Sequence, residues 1–332
     1  MPIAMTELGR GGPRVSRVGL GLMGMSGTYG PADETESTAT IRAALDAGIT
    51  LLDTGDFYGM GHNELLLGHA LRGVDRSSVF IQVKFGGQRD PRGAFVGHDA
   101  SPAMVKSSLA YSLTRLGTDY IDLYQPARLD PRVPIEETVG AIAEMIKAGY
   151  VRYLGLSEMG ADTIRRAAAV HPVTALQIEY SLMSRGIEDQ ILPAVRQLGV
   201  GVTAYGVMSR GLLSAASARA IAEGDPRTRF PRFQGENLQR NLALVAALER
   251  VAAARGATTA QLAIAWTLSR GADIVPLLGT KRRDRLVEAL GALELMLSPD
   301  ELAAIEAAVP ASAVAGDRYE PAQMAALDSE EQ

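Results

Sequence analysis

Thr50-Leu51-Leu52-Asp53-Thr54-Gly55-Asp56-Phe57-Tyr58-Gly59 is a short apolar run that ends in a carboxylate and breaks into a glycine-flanked turn carrying a phenol. Apolar runs recur at Val18–Met23, Val79–Phe85, Tyr120–Gln125, Val151–Ser157, Ala175–Tyr180, Val200–Gly206 and Asp273–Gly279. With Thr50–Thr54 they make eight strands. Their continuous apolar character, rather than alternation, marks strands covered on both faces. The helical patterns between them imply parallel pairing through crossover helices. Eight such units with no evident linker predict an α/β fold of one domain over 1–332, a single (β/α)8 TIM barrel.

The helices carry their own punctuation. Ser101-Pro102 offers an N-cap followed by an N1 proline, Val105, Leu109, Leu113 and Leu116 form a stripe, and Gly117 stops the helix. Thr258 with Gln261, and Ser298 with Glu301, fit the capping-box spacing. Gly48, Gly149 and Gly271 are further stop signals. Thr6–Val15, with Gly9, Gly11 and Gly12 at its middle, reads as an N-terminal β-hairpin before the first strand. Extra C-terminal helices are expected, and from about 310 to 332 the pattern fades into a small-residue, acidic tail expected to pack loosely.

Composition narrows the function. Hydrophobic residues are 47% and aromatics 5%, which suits a core of aliphatic layers, and the absence of cysteine removes disulfides, Cys-ligated zinc and thiol catalysis. A net charge of −5 without a long basic run argues against a nucleic-acid partner or an anionic membrane surface. No basic-then-apolar leader and no span of about 20 apolar residues is present, so a cytoplasmic location is the expectation.

In a (β/α)8 barrel the chemistry sits at the C-terminal ends of the strands. Those ends carry Asp53, Lys84, Gln125, Ser157, Glu158, Gln177, Glu179 and Tyr205, and the last runs into Gly279-Thr280-Lys281-Arg282. A free phenol has a pKa of about 10, and a buried ammonium beside it lowers that value, so Lys84 could activate Tyr58 while Asp53 holds the lysine. On spacing alone, a surface Asp and Tyr with a solvated Lys is an equal alternative; convergence of the polar residues on one rim favours a site. Residues 279–285 lead from a strand into a helix, where backbone N–H groups and cations make an anion site, with solvated surface charge as the alternative.

Rival motifs fail on context. Gly19-Leu20-Gly21-Leu22-Met23-Gly24 matches the dinucleotide-binding G-x-G-x-x-G, but that motif needs a helix to begin in the loop, and here the helical pattern starts only near Asp33. No tyrosine is followed four residues later by lysine. His62, His69, His98 and His171 lack metal-ligand spacing, so no metal is expected.

At these residues the chain resembles the aldo-keto reductase superfamily over nearly its whole length, and most of all the bacterial and plant branch that includes auxin-induced-protein-like and pyridoxal reductases. Asp53–Gly59 is similar to the family's D-T-A-D-x-Y-G signature, with glycine for alanine. Arg115–Tyr124, Gly155-Leu156-Ser157-Glu158, Gln177-Ile178-Glu179-Tyr180 and the Gly279–Arg282 segment are also family-like. The resemblance implies a nicotinamide cofactor, NADPH (NADP+), that gives hydride to a small-molecule carbonyl substrate. Tyr58 would be the proton donor, Lys84 its partner and Asp53 the counter-ion. Gly21 and Met23 would border the cofactor, Ser157 and Gln177 would bind the carboxamide, and Tyr205 would stack on the ring. Met208, Arg210, Gly211 and Leu212 would cover the pyrophosphate. Lys281, Arg282 and Arg285 would face the adenosine 2′-phosphate, with Thr280 and Glu288 nearby, and Gly279 would also border the cofactor.

Two positions depart from the family. Ala127 stands where D-L-Y-x-x-H-R has its histidine, and Ala289 replaces an asparagine that commonly touches adenine. Tyr29, Phe57, Phe85, Phe95, Gln125, Ala127 and Arg128 are expected to line the substrate pocket. Without the histidine, better substrates should be bulky or carry their own polar anchor. A dinucleotide-binding, redox-sensing subunit with little turnover is the alternative that Ala127 supports, and Lys84 as a Schiff-base amine of a lyase or isomerase is a third. Oligomeric state leaves no mark in the sequence.

Overall fold

The structure is a computed structural model and describes residues 3–221 and 224–330. Met1, Pro2, Glu331 and Gln332, the ends of the expected domain and tail, lie outside the described residues. An antiparallel hairpin, β1 (Met5–Glu7) and β2 (Arg14–Ser16), comes first, with Met5 opposite Ser16. Then follow β3 (Gly19–Gly21), α1 (Glu34–Asp46), β4 (Leu51–Gly55), α2 (His62–Ala70) and β5 (Phe80–Phe85). A second hairpin, β6 (Gly87–Arg89) and β7 (Phe95–His98), rises from the loop after β5 and was not foreseen from the sequence. The chain continues through α3 (Pro102–Leu116), β8 (Ile121–Pro126), α4 (Ile135–Lys147), β9 (Val151–Ser157), α5 (Ala161–Val170) and β10 (Ala175–Glu179). Next are α6 (Ile191–Leu198), β11 (Gly201–Tyr205), α7 (Ala215–Arg219), α8 (Gly235–Arg255), α9 (Thr259–Ser269) and β12 (Ile274–Gly279). Helices α10 (Arg283–Leu290), α11 (Pro299–Ala308) and α12 (Pro321–Met324) complete it.

Strands β3, β4, β5, β8, β9, β10, β11 and β12 form one closed parallel barrel, β12 pairing back onto β3 through Leu277 and Gly19. The eight predicted runs coincide with these eight strands. The capping signals hold as well: Ser101 accepts from Met104 N–H, Gly117 is left-handed, and both capping boxes close.

Two cores follow from the alternation of side chains along each strand. Inside the barrel lie Leu51, Phe80, Leu123, Ala175, Val275 and Leu277, with Leu8 and Val15 of the hairpin region plugging the end away from the strand C-termini. Between barrel and helices lie Leu52, Ile81, Val83, Phe85, Tyr124, Leu154, Leu176, Ile178 and Val202. Gly19 faces inward without a side chain because Leu51 and Leu277 occupy its space; a Cβ there would sit 2.6 and 2.7 Å from theirs.

The segment beyond Pro310 does not pack loosely, which corrects the expectation. Its Arg318 is 6% exposed and Leu327 3%. The Asp328 carboxylate accepts from Gly160 N–H at 2.6 Å and from the Thr163 hydroxyl at 3.1 Å. Gly160 is the N-cap of α5 and has no side chain, and Asp328 satisfies its backbone N–H from across the chain.

Candidate active site

One step beyond the inner apolar layer, every inward position turns polar or becomes glycine: Asp53 after Leu51, Gln82 and Lys84 after Phe80, Gln125 after Leu123, Ser157 on β9, Gln177 and Glu179 on β10, Thr203 and Tyr205 on β11. Register sets these rows side by side. Asp53 lies opposite Gln82, Lys84 opposite Gln125, and Gln177 opposite Ser157.

Asp53 is the hub. Its Oδ1 accepts from Lys84 Nζ at 2.6 Å, from Gln177 Nε2 at 2.7 Å and from Gln82 Nε2 at 3.2 Å, and Gln82 also donates to the Thr203 hydroxyl at 3.2 Å. All are buried, so the ion pair is desolvated and its hydrogen bonds offset that cost. Burial lowers the Lys84 ammonium while Asp53 opposes the shift. Gln82 and Thr203 were missed by the sequence reading, although each lies two residues before a residue it picked out.

Tyr58 follows the β4 turn, its amide bonded to the Gly55 carbonyl at 3.1 Å and its ring edge-on to Phe57 at 4.9 Å. The Lys84 ammonium stands 5.0 Å from the centre of the Tyr58 ring. The expected lowering of the phenol by Lys84 is not what this arrangement gives. Burial first, and then the Asp53 carboxylate, push Tyr58 above its ordinary value, and the cation that opposes them is Arg128. Tyr58 is therefore a neutral phenol at physiological pH, with a proton to give.

The residues expected to face the substrate divide. Gln125 is fully buried, and neither its amide oxygen nor its nitrogen has a hydrogen-bond partner among the described residues. It fits because its neighbour is Gly155, where a Cβ would come within 2.9 Å of Gln125 Oε1. Ala127 is buried, donates its amide to the Phe85 carbonyl at 2.9 Å and accepts from Arg128 Nη1 at 2.6 Å. Tyr29 is half-buried, and desolvation pushes its phenol up to about 12. Phe85 is a correction: it alternates outward and stacks on Tyr124 at 4.4 Å, between barrel and helices and away from the mouth. Phe95 is half exposed on β7, beside His98 at 4.8 Å.

Two of the residues expected on the cofactor side carry a buried atom without a hydrogen-bond partner among the described residues. The Ser157 hydroxyl is buried without a partner among the described residues. Gln177 is committed to Asp53 through its nitrogen. Tyr205 donates to Glu158 at 2.7 Å and meets the Tyr319 hydroxyl at 2.9 Å, a partner from the C-terminal segment. After Met208 the backbone turns left-handed at Ser209 (φ 46°), Arg210 (φ 55°) and Gly211 (φ 89°). Strain of this kind costs on the order of 1–3 kcal/mol per non-glycine residue. Here it sets Arg210 against Glu179 at 3.4 Å with its Nη1 buried and unpartnered. Leu212 is buried just after it.

Beyond Gly21 and Gly279, paired across the β3–β12 seam, the rim opens; a Cβ at Gly279 would meet nothing within 4 Å. Met23 begins the short turn after β3. The cations after β12 are not free. Lys281 donates to the carbonyls of Gly30 at 3.3 Å and Pro31 at 2.5 Å, Arg282 pairs with Asp284 at 2.6 Å, and Arg285 pairs with Glu288 at 2.7 Å. Arg283, passed over in the sequence reading, pairs with Glu36 at 2.9 Å. Thr280 accepts from Arg282 N–H at 3.2 Å.

The C-terminal segment supplies residues the sequence reading missed. Arg318 reaches Glu158 at 2.6 Å and Glu330 at 2.7 Å, and Tyr319 sits among Tyr205, Arg128 and Phe230. The signal available was the charged, aromatic Arg318-Tyr319-Glu320 inside a small-residue stretch. Among the described residues no group of acidic or histidine side chains could hold a metal, and no helix is long and apolar enough to cross a membrane.

Residues 17–310 match the model of the aldo/keto reductase family. The chain is 42% identical over 326 residues to a probable aldo-keto reductase 1 from Glycine max, covering 96% of this chain and 92% of that protein. A glycerol dehydrogenase from Gluconobacter oxydans superposes with a TM-score of 0.84 at 29% identity, covering 96% of this chain and 98% of the other. A thermostable aldo-keto reductase solved with the inhibitor epalrestat gives 0.73 at 27% identity, over 92% and 100% of the two chains.

Proposed function

Because the chain belongs to the aldo/keto reductase family, oxidoreductases of carbonyl compounds, we propose that it is an NADPH-dependent reductase converting an aldehyde or ketone to the alcohol, with Tyr58 as the general acid. The observation that carries this is the Asp53–Lys84 pair set beneath a neutral Tyr58 phenol at the barrel mouth. When bound, the reduced nicotinamide supplies the hydride to the carbonyl carbon. The rest falls to the chain. The buried, partnerless Ser157 hydroxyl suits a carboxamide, and the unpartnered Nη1 of Arg210 suits a phosphate oxygen. Tyr58 gives its proton to the carbonyl oxygen, and the charge of Arg128 stabilises the phenolate left behind. Asp53, fixed by its other two donors, keeps Lys84 charged in a buried place.

Tyr58→Phe removes the transferable proton and nothing that touches the dinucleotide. Turnover on any accepted aldehyde should fall roughly 100- to 10,000-fold, with NADPH affinity near that of the wild type, read from loss of reduced-nicotinamide absorbance and from cofactor titration. Retention of most of the rate would overturn the assignment. A dinucleotide-binding subunit with little turnover is the second reading, favoured by Ala127 at the histidine position. It predicts tight NADPH binding and negligible oxidation with every carbonyl offered.

A further inference from the structure

We infer that Arg128 anchors a carboxylate on the substrate, so that the preferred substrates are aldehydes or ketones carrying an anionic carboxyl group; this rests on the carbonyl-reductase reading above. At the mouth each of the other buried cations has a carboxylate. Lys84 has Asp53 at 2.6 Å, Arg318 has Glu158 at 2.6 Å, and Arg210 and Arg232 share Glu179 at 3.4 and 3.5 Å. Arg128 has none within 4.0 Å among the described residues. Its hydrogen bonds go to the carbonyl of Ala127 and, at 3.4 Å, to the Tyr319 hydroxyl, so part of the guanidinium fork is unused.

The position is as informative as the missing partner. The Arg128 guanidinium reaches the Tyr319 hydroxyl at 3.4 Å, itself 2.9 Å from the Tyr205 hydroxyl at the end of β11, and its charge is felt by Tyr58, Lys84 and His98. Glu158 is the carboxylate felt most strongly by Arg128, but both its oxygens are already taken by Arg318, Tyr205, Ser329 and the Glu179 amide. Burial holds His98 down to about 4, so it is neutral and does not compete for an anion. The Tyr319 hydroxyl stands within the same group and, by turning from Tyr205, can donate to a carboxylate that enters it. A partly buried guanidinium without a counter-ion is costly, whereas its planar fork matches a carboxylate with two parallel bonds.

The test compares 4-carboxybenzaldehyde with its methyl ester, which keeps the aldehyde and removes the charge. Wild type should favour the acid in kcat/KM by at least about tenfold, the effect of one charge-assisted bond, and the preference should lie mainly in KM. Arg128→Met should bring the ratio near one, and Arg128→Lys should restore part of it. Calorimetric binding of 4-(hydroxymethyl)benzoate and its methyl ester to the NADP-loaded protein reads the same anchor without turnover. Tighter binding of the acid that Arg128→Met abolishes supports the anchor even if no aldehyde is reduced, and then only the reductase reading falls. Equal handling of acid and ester by the wild type, or an acid preference that survives Arg128→Met, overturns the anchor and leaves the reductase reading standing.

Discussion

Replacing Glu158 with glutamine tests whether charge holds the segment 316–330 over the barrel mouth. Burial alone would raise this carboxyl, but the Arg318 guanidinium and its hydrogen bonds, then Arg128 and the Tyr205 hydroxyl, outweigh burial and hold it from its ordinary 4.5 down to about 2. At 1.36 kcal/mol per tenfold, that preference for the ionised form is about 3 kcal/mol. A neutral amide forfeits it and also turns one acceptor into a donor among donors: Arg318 and Ser329 on one side, Tyr205 and the Glu179 amide on the other. Glu330, 2.7 Å from Arg318, recovers part. A net loss of about 2–3 kcal/mol multiplies the undocked population roughly 30- to 150-fold. Hydrogen exchange at neutral pH should therefore show faster exchange at the amides of Ala326, Leu327 and Glu330, which are bonded only within the segment, while the barrel strands keep their protection. Because the folded value is depressed, the stabilisation is complete above 4.5 and is lost as pH falls toward 2. In wild type the segment should accordingly loosen over that window once intrinsic exchange is corrected for. Unchanged exchange in Glu158→Gln at neutral pH would refute the argument.

Lys281→Ala and Arg282→Ala should each weaken NADPH binding by about tenfold, as expected for one charge-assisted bond to a phosphate, and NADH binding much less. Equal losses for both cofactors would place the 2′-phosphate elsewhere. Asp56 is pushed up to about 7, by burial first and then by Glu64. Its neutral form is the one the fold favours, so its contribution is full below 3.8 and lost as pH rises through about 7. Asp56→Asn should gain stability relative to wild type between pH 4 and pH 8 in denaturant titrations, and a difference independent of pH would show that another group titrates there.

The strands were legible because burial on both faces leaves an unbroken apolar run, and the helix ends because Ser101, Thr258 and Ser298 cap with their own side chains. The Asp53–Lys84 pair was legible because both residues are charges at strand ends. Phe85 was misplaced because the run Val79–Phe85 was treated as uniformly apolar; its two polar members, Gln82 and Lys84, fix the inward parity and turn Phe85 out. The cations after β12 were visible as charges, but their carboxylates, Glu36 among them, come from elsewhere in the chain and have no local signature. The C-terminal segment was misjudged for a similar reason. Its hold on the barrel is made by Arg318 and Asp328 reaching residues 158–163, and pairing at such sequence separation cannot be read from composition.

The seam at which Leu277 meets Gly19 has a consequence for how the enzyme comes into being. The first and last barrel strands are neighbours, so a chain lacking β12 has two open strand edges and no ring. Joining partners so distant along the chain comes late, after the loop entropy of everything between has been overcome. Gly21 and Gly279 flank that junction, and Arg17 stitches it shut by donating to the carbonyls of Leu268, Gly271 and Ile274. Truncated or half-synthesised chains should then be sticky, unfinished sheets rather than weak catalysts, and competence should appear in a single step when the ring closes.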